Sequence, residues 1–188
     1  LIVILNVMKI MKIKAITSDH HIGHNNILEY SNRPFSSVEE MNEEIISRYN
    51  SVISSEDTVI WAGDVSFCND EQTKNILSRM NGYKILVKGN HDRNPDRMLN
   101  IGFSLVTTEL FVKIGDYHCI VNHFPYHRYK ELRPKRNSNY ILLHGHTHQK
   151  LKFKNGCVHV GVDSNDYYPI LISEVEDILK NNIVKKVK

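Results

Sequence analysis

Ile13-Lys14-Ala15-Ile16-Thr17-Ser18-Asp19-His20-His21 joins a short apolar run to an acid and two imidazoles. The run reads as a buried strand, and the polar cluster falls where that strand gives way to a loop. The same arrangement returns at residues 58–64, where Thr58-Val59-Ile60-Trp61-Ala62 leads into Gly63-Asp64, and at residues 83–92, where another strand leads into Gly89-Asn90-His91-Asp92. Helical stretches separate these strands. Residues 36–54 carry Ser37 and Glu40 as a capping box and repeat Met41, Ile45, Tyr49 and Val52 on one face, and residues 71–80 have helical composition. Strand, helix and strand in alternation predict a parallel sheet.

From Leu110 onward the rhythm changes. Residues 110–114 and 118–121 flank Gly115-Asp116 as a hairpin, residues 140–143 form another strand, and Gly156 precedes a last strand at 158–162. This half reads as antiparallel. Ser173 and Glu176 cap a final helix ending near Asn181. No repeat, linker or low-complexity segment interrupts the chain, so a single domain is expected over residues 11–188. Because Met8 and Met11 closely follow the leading Leu1, residues 1–10 read as an upstream extension.

At 188 residues and 41% hydrophobic content the chain can bury a substantial core. The 24 Lys and Arg against 21 Asp and Glu leave a net charge of +3, too slight a bias for a dedicated nucleic-acid binder. Cys68, Cys119 and Cys157 contain no Cys-x-x-Cys pair and lack the even count of a disulfide framework, which predicts a reducing, cytoplasmic setting. The Leu1-Ile2-Val3-Ile4-Leu5 run is too short to cross a bilayer, and its lysines follow it where a signal peptide would place them before it. No membrane partner is expected. The tail Lys185-Lys186-Val187-Lys188 reads as a solvated end. Eleven histidines are many for this length, and several pair or alternate, which points to metal or proton chemistry.

The clusters rich in Asp, Asn and His follow strands, where an open α/β sheet gathers its ligand-binding loops. Asp19 and His21 lie two residues apart, so in extended backbone both side chains point one way and one ion can take both. Asp64 has two oxygens with which to bridge a pair of ions. Asn90 offers an amide oxygen, a hard ligand for divalent cations. His123 also follows a strand, and His146 and His148, again two apart, add imidazoles from one face. Singly, each piece has a plainer reading, since Gly-Asp after a strand is usually a turn; the five segments in order point to a metal site. His20 and His144 face away from their ligand neighbours and read as packing or supporting groups.

Asp19-His20-His21, Gly63-Asp64, Gly89-Asn90-His91-Asp92, His123 and Gly145-His146-Thr147-His148 together resemble the calcineurin-like metallophosphoesterase superfamily. The resemblance covers roughly residues 11–163. It implies a four-layer α/β/β/α sandwich of two mixed sheets. It further implies that Asp19, His21, Asp64 and His148 hold one metal and that Asp64, Asn90, His123 and His146 hold the other, with Asp64 shared. The implied reaction is hydrolysis of a phosphodiester or phosphomonoester by a metal-bridging hydroxide, with His91 as general acid and Asp92 orienting it and raising its pKa. The alternative for His91 is a structural role. Manganese is the expected metal, with iron, zinc and nickel compatible with the same ligands. Val65-Ser66-Phe67 follows Gly63-Asp64 where the serine/threonine phosphatase and diadenosine tetraphosphatase branches continue Asp-Arg-Gly, which argues against those branches.

His24, three residues beyond His21, and Arg33 are candidates to bind substrate phosphate; their alternatives are a surface histidine and an exposed arginine. Arg128 lies in Tyr126-His127-Arg128-Tyr129-Lys130, followed by Arg133, Lys135 and Arg136. Such a basic, aromatic loop suits a nucleotide, unless it is merely solvated. The expected partner is a small phosphate ester, a nucleotide or cyclic nucleotide. A nuclease acting on single-stranded or damaged nucleic acid and a catalytically silent scaffold are the competing readings, and the intact ligand set weakens the second. Residues 161–169 read as structural. Nothing in the residue pattern reports the oligomeric state.

Overall fold

The computed structural model describes residues 13–125, 140–154 and 156–183. The strands are β1 (Ile13–Thr17), β2 (Thr58–Trp61), β3 (Tyr83–Val87), β4 (Leu105–Thr107), β5 (Leu110–Ile114), β6 (Tyr117–Val121), β7 (Tyr140–His144), β8 (Phe153–Lys154), β9 (Cys157–His159) and β10 (Ile170–Leu171). The helices are α1 (Ile27–Tyr30), α2 (Val38–Val52), α3 (Asp70–Ser78), α4 (Pro95–Asn100) and α5 (Ile172–Ile183). One five-stranded sheet has the order β10-β1-β2-β3-β4 and the other β5-β6-β7-β9-β8. The α/β class with two mixed sheets is the one the resemblance implies.

Period-two alternation explains why the first sheet is covered on both faces. Ala15, Val59, Trp61 and Leu86 pack against Met41, Ile45 and Tyr49 of α2, with Leu77 and Met98 in the same core. Their neighbours Ile16, Ile60, Ala62, Ile85 and Val87 point the other way, against Leu110, Val121, Ile141, Leu143 and Val158 of the second sheet. Helix α5 joins this inter-sheet core through Val175 and Leu179, both fully buried.

Strands β1 to β4 pair in parallel, as the alternation of strand and helix predicts. The second sheet departs from the antiparallel expectation. Its β5–β6 hairpin and its β8–β9 pair are antiparallel, but β6–β7 and β7–β9 are parallel. Parallel pairing brings the carboxyl ends of β6 and β7 to one edge, so the loops carrying His123 and His146 emerge side by side. Backbone bonds continue at that edge: Gly145 N–H donates to the His123 carbonyl within the second sheet, and Val162 N–H donates to the Ser18 carbonyl, which joins the two sheets.

Helix termini differ from expectation in detail. Ser37 caps α2 through its side chain, but the Glu40 carboxylate accepts from the Ser36 N–H at 2.7 Å. Helix α3 starts at Asp70, one residue earlier than residues 71–80 implied, because Asn69 and Gln72 form the capping box. Helix α5 follows β10 without a break, so Ser173 does not cap it; Glu174 accepts from the Leu171 N–H instead. Helix α4, with Asn94 as cap and Pro95 at its start, and the short strands β4, β8 and β10 had no clear apolar period. Among the described residues no helix is long and apolar enough to cross a membrane.

Lys84 is buried on β3, where its ammonium donates to the carbonyls of Met80 and Gly82 at the end of the α3 segment. Burial lowers its pKa from 10.5 to about 8, so the unfolded chain holds this proton more tightly than the folded one. The resulting cost is fully present below pH 8 and is relieved as pH rises from 8 to 10.5. Stability in chemical denaturation should therefore gain from this group across that window, and Lys84→Met should flatten the gain.

Candidate metal centre

The loops at the carboxyl ends of β1, β2, β3, β6 and β7 meet at one edge of the sandwich. Asp19, His21 and His148 form one cluster there, and Asp64, His123 and His146 another; within each, candidate ligand atoms lie within 4.8 Å of one another. Asn90 joins the second cluster, its Oδ1 lying 3.0 Å from His123 Nε2. All seven residues predicted as metal ligands are thus brought together.

They are not brought together by the expected strand geometry. Asp19, His21, Asp64, His146 and His148 all have positive φ, between 46° and 69°, in the left-handed region. Asp, Asn and His enter this region more readily than most side chains, but it still costs about 1–3 kcal/mol per residue. The turns are held by bonds between loops: Asp19 N–H donates to the Gly63 carbonyl, His21 N–H to the Asp64 carbonyl, and His146 N–H to the Asp19 carboxylate at 3.0 Å. Space is as tight as the backbone. A methyl group at Gly89 would overlap Asp64 Oδ1, and one at Gly145 would overlap Ser18 Oγ and Asp19 Oδ2.

Asp64 sits between the clusters. Its Oδ2 is 3.5 Å from His21 Nε2 and 3.4 Å from His123 Nε2. Burial alone would favour its neutral acid, but His123, His21 and the His91 N–H oppose burial and hold the pKa below the usual carboxylate range. Burial lifts Asp19 to about 6 despite the attraction of His148 and His123. His123 meets the converse balance: burial disfavours its charged form, yet Asp64 and Asp19 outweigh it and raise the pKa.

The donor set fits divalent cations. His123 Nδ1–H donates to the Ala62 carbonyl at 2.8 Å, which leaves Nε2 to face Asn90 Oδ1 and Asp64 Oδ2. In the neutral imidazole that nitrogen is a lone pair, so three acceptors converge where a cation or an additional proton must reconcile them. His21 Nε2 is also buried and, among the described residues, meets only Asp64 Oδ2, at 3.5 Å. Oxygen and imidazole ligands of this kind suit manganese, iron, zinc or nickel.

Two buried acids that are not in the predicted ligand set support the centre from behind. Asp163 accepts from His148 Nδ1 at 2.8 Å and from Arg33 at 2.9 Å through both carboxylate oxygens. Arg33 also donates to the carbonyls of Asp19 and His20. Arg33 and Asp163 therefore tie together the segments that present Asp19, His21 and His148. Arg33 is neither a phosphate clamp nor exposed: it is 4% accessible and its guanidinium is occupied by these carbonyls, Asp163 and the Met41 sulfur. Asp163 was missed because it lies in residues 161–169, where no spacing links it to His148.

Asp92 has a different place from the one expected. Its carboxylate accepts from the backbone N–H groups of Asp64, Val65 and Gly89 at 3.0, 2.9 and 2.7 Å, so it fixes the loops instead of the His91 ring. His91 stands at the rim, its side chain 45% accessible and its Nε2 4.0 Å from Asp64 Oδ2. His24 is half-buried beside it, with Nδ1 3.2 Å from His21 Nδ1. His20 stacks on Trp61 at 4.0 Å, where burial lowers its pKa to about 3, and is a neutral packing group as expected. Arg128 lies outside the described residues.

Asp163→Asn should weaken metal binding by about 10- to 100-fold, the usual effect of losing a carboxylate behind a ligating histidine. Titration of the metal-free protein followed by elemental analysis checks this. An unchanged affinity would show that His148 needs no such support.

The sequence matches the calcineurin-like phosphoesterase superfamily domain over residues 11–162. An uncharacterised protein of Methanocaldococcus jannaschii is 28% identical over 190 aligned residues, spanning 96% of this chain and 98% of that protein. The gene 66 protein of Mycobacterium phage L5 is 29% identical, over 79% of this chain and 85% of its own length. Among solved structures, a protein of unknown function from Aquifex aeolicus superposes with a TM-score of 0.70 at 24% identity, covering 89% of this chain and all of that one. With the domain match spanning both ligand clusters up to Val162, the chain belongs to the calcineurin-like phosphoesterase superfamily.

Proposed function

We propose that the protein is a dinuclear metal-dependent hydrolase of phosphodiester or phosphomonoester bonds, acting on a small nucleotide or cyclic nucleotide. The observation that carries this reading is the position of Asp64 Oδ2, which faces an imidazole of each cluster at 3.5 and 3.4 Å. One carboxylate oxygen is thereby shared between two ligand sets. Divalent ions held there would supply Lewis-acid activation of water and of the phosphoryl oxygens. Manganese is the metal proposed, and three cysteines without a Cys-x-x-Cys pair support a cytoplasmic setting.

The chain itself supplies charge, position and a proton. Asp19 and Asp64 bring buried negative charge to balance bound cations. His91 is the proposed general acid: its ring is exposed enough to meet a substrate, while its backbone N–H donates to Asp64 Oδ1 at 3.0 Å and fixes the residue beside the shared carboxylate. Asp92, by holding Gly89 and Asp64, positions both His91 and the bridge.

Purified protein should bind about two divalent ions and hydrolyse an aryl phosphodiester or monoester when manganese is added. His91→Asn should keep its metal and lose about 10²- to 10⁴-fold in rate, the usual contribution of a positioned acid. Asn90→Ala should lower metal content instead. Inactivity with manganese, iron, zinc and nickel alike would overturn the reading.

A further inference from the structure

His123 and His148 each direct the ring nitrogen that turns away from the centre, Nδ1, at an oxygen: the Ala62 carbonyl for one and the Asp163 carboxylate for the other. His21 directs its Nδ1 at a nitrogen. The Nδ1 of His24 stands 3.2 Å from it, while His21 Nε2 faces Asp64 Oδ2 inside the centre. A tight turn brings His24 to that place. Its backbone N–H donates to the His21 carbonyl at 3.0 Å, and Gly23 between them has a φ of 74°, with Cys68 Sγ filling the space of a first side-chain carbon. Asn42 Oδ1 holds the turn by accepting from Gly23 N–H at 3.1 Å. Phe67, anchored by its N–H to the Ile22 carbonyl at 2.8 Å, stacks on His24 at 3.9 Å and 11° and lies near-parallel to His21 at 5.2 Å and 19°. The imidazole centroids are 5.3 Å apart with planes inclined by 25°. That separation exceeds the nitrogen–nitrogen distance by about one ring width, so the imidazoles lie edge to edge. An imidazole N–H and an imidazole lone pair both point outward in the ring plane, and edge-to-edge placement lets them meet.

We infer that His24 is a positioning residue for the metal centre: its bare Nδ1 accepts from His21 Nδ1–H and so fixes the tautomer and the ring plane of that ligand. The inference rests on the metal-dependent reading above and adds what orients one of its ligands. The direction of the bond follows from ligation. A metal ligand at Nε2 uses that nitrogen's lone pair, which leaves the one ring proton of neutral His21 on Nδ1. Two Nδ1–H groups could not face each other at this distance, so His24 Nδ1 accepts and the His24 proton sits on Nε2. An outer partner that fixes a ligating histidine in this way is ordinarily an oxygen, and here it is a second imidazole. The Nδ1 of His24 is thereby committed to a ligand and not to substrate phosphate.

The test titrates zinc into metal-free wild type, His24→Phe and His24→Asn, each in competition with a chelating dye. His24→Phe keeps a flat ring against Phe67 but has no acceptor, whereas His24→Asn places an amide oxygen close to where Nδ1 stood. Zinc affinity should fall by about 10- to 100-fold in His24→Phe, the usual effect of losing a partner behind a ligating histidine, and His24→Asn should recover most of that loss. Unchanged affinity in His24→Phe, or an equal loss in His24→Asn, would overturn the role of His24 and leave the metal centre intact. A wild-type protein that takes up no zinc would overturn the metal centre itself, and the role of His24 with it. Long-range proton–nitrogen correlation NMR of the zinc-loaded wild type gives a readout that depends on no variant. With His24 assigned from its backbone neighbours, its ring should be protonated at Nε2 and bare at Nδ1. A His24 proton on Nδ1 would end the inference.

Discussion

Asp64 is a carboxylate with almost no exposure, and burial of that kind ordinarily neutralises an acid. It stays ionised because His21 and His123 approach its Oδ2 while the His91 N–H meets its Oδ1. The surrounding structure follows from keeping that charge in place. Asp92 grips the backbone of Asp64, Val65 and Gly89, so β2 and β3 must end at the same level; parallel pairing at matched register, with Ile60 opposite Ile85, makes them do so. His123 comes from the other sheet and is held by the Ala62 carbonyl two residues before Asp64. The sheets are thus locked at the point where their apolar faces stop.

The two clusters differ in how they are supported. Asp19, His21 and His148 are tied through Arg33 and Asp163, a buried ion pair with side chains at 0% and 2% accessibility. Such a pair is weak evidence of stability, since desolvation offsets much of the attraction. Its value here is geometric, because one guanidinium fixes two carbonyls and an acid at once. The cluster of Asp64, Asn90, His123 and His146 leans on backbone contacts around Asp92, and its Asn90 and His146 are exposed.

Much of this was legible in the residues. The apolar runs located β1 to β3 as buried strands, but which side chains face the helices and which the second sheet emerged only from the packing, because a strand buried on both faces reads as a continuous apolar run. The clusters of Asp, Asn and His after strands located every candidate ligand. The reason offered for their convergence was wrong, since same-side projection from extended backbone gave way to left-handed turns stabilised from outside the loop. Arg33 and Asp163 are 130 positions apart, and no local pattern joins such a pair. The parallel β6–β7–β9 pairing was hidden for the same reason: hairpin signals are local, and crossovers are not.

The glycines beside the ligands hold a further meaning. Gly89 leaves room for the Asp64 carboxylate, and Gly145 for that of Asp19, with atoms filling what would be a side chain's first carbon. What the family signature preserves at these positions is an absence of volume, a cast of the two acids rather than a chemical group. Chemistry is written in the Asp, Asn and His letters, and shape in the Gly letters between them. The Aquifex aeolicus protein, at 24% identity, has the same fold at a TM-score of 0.70.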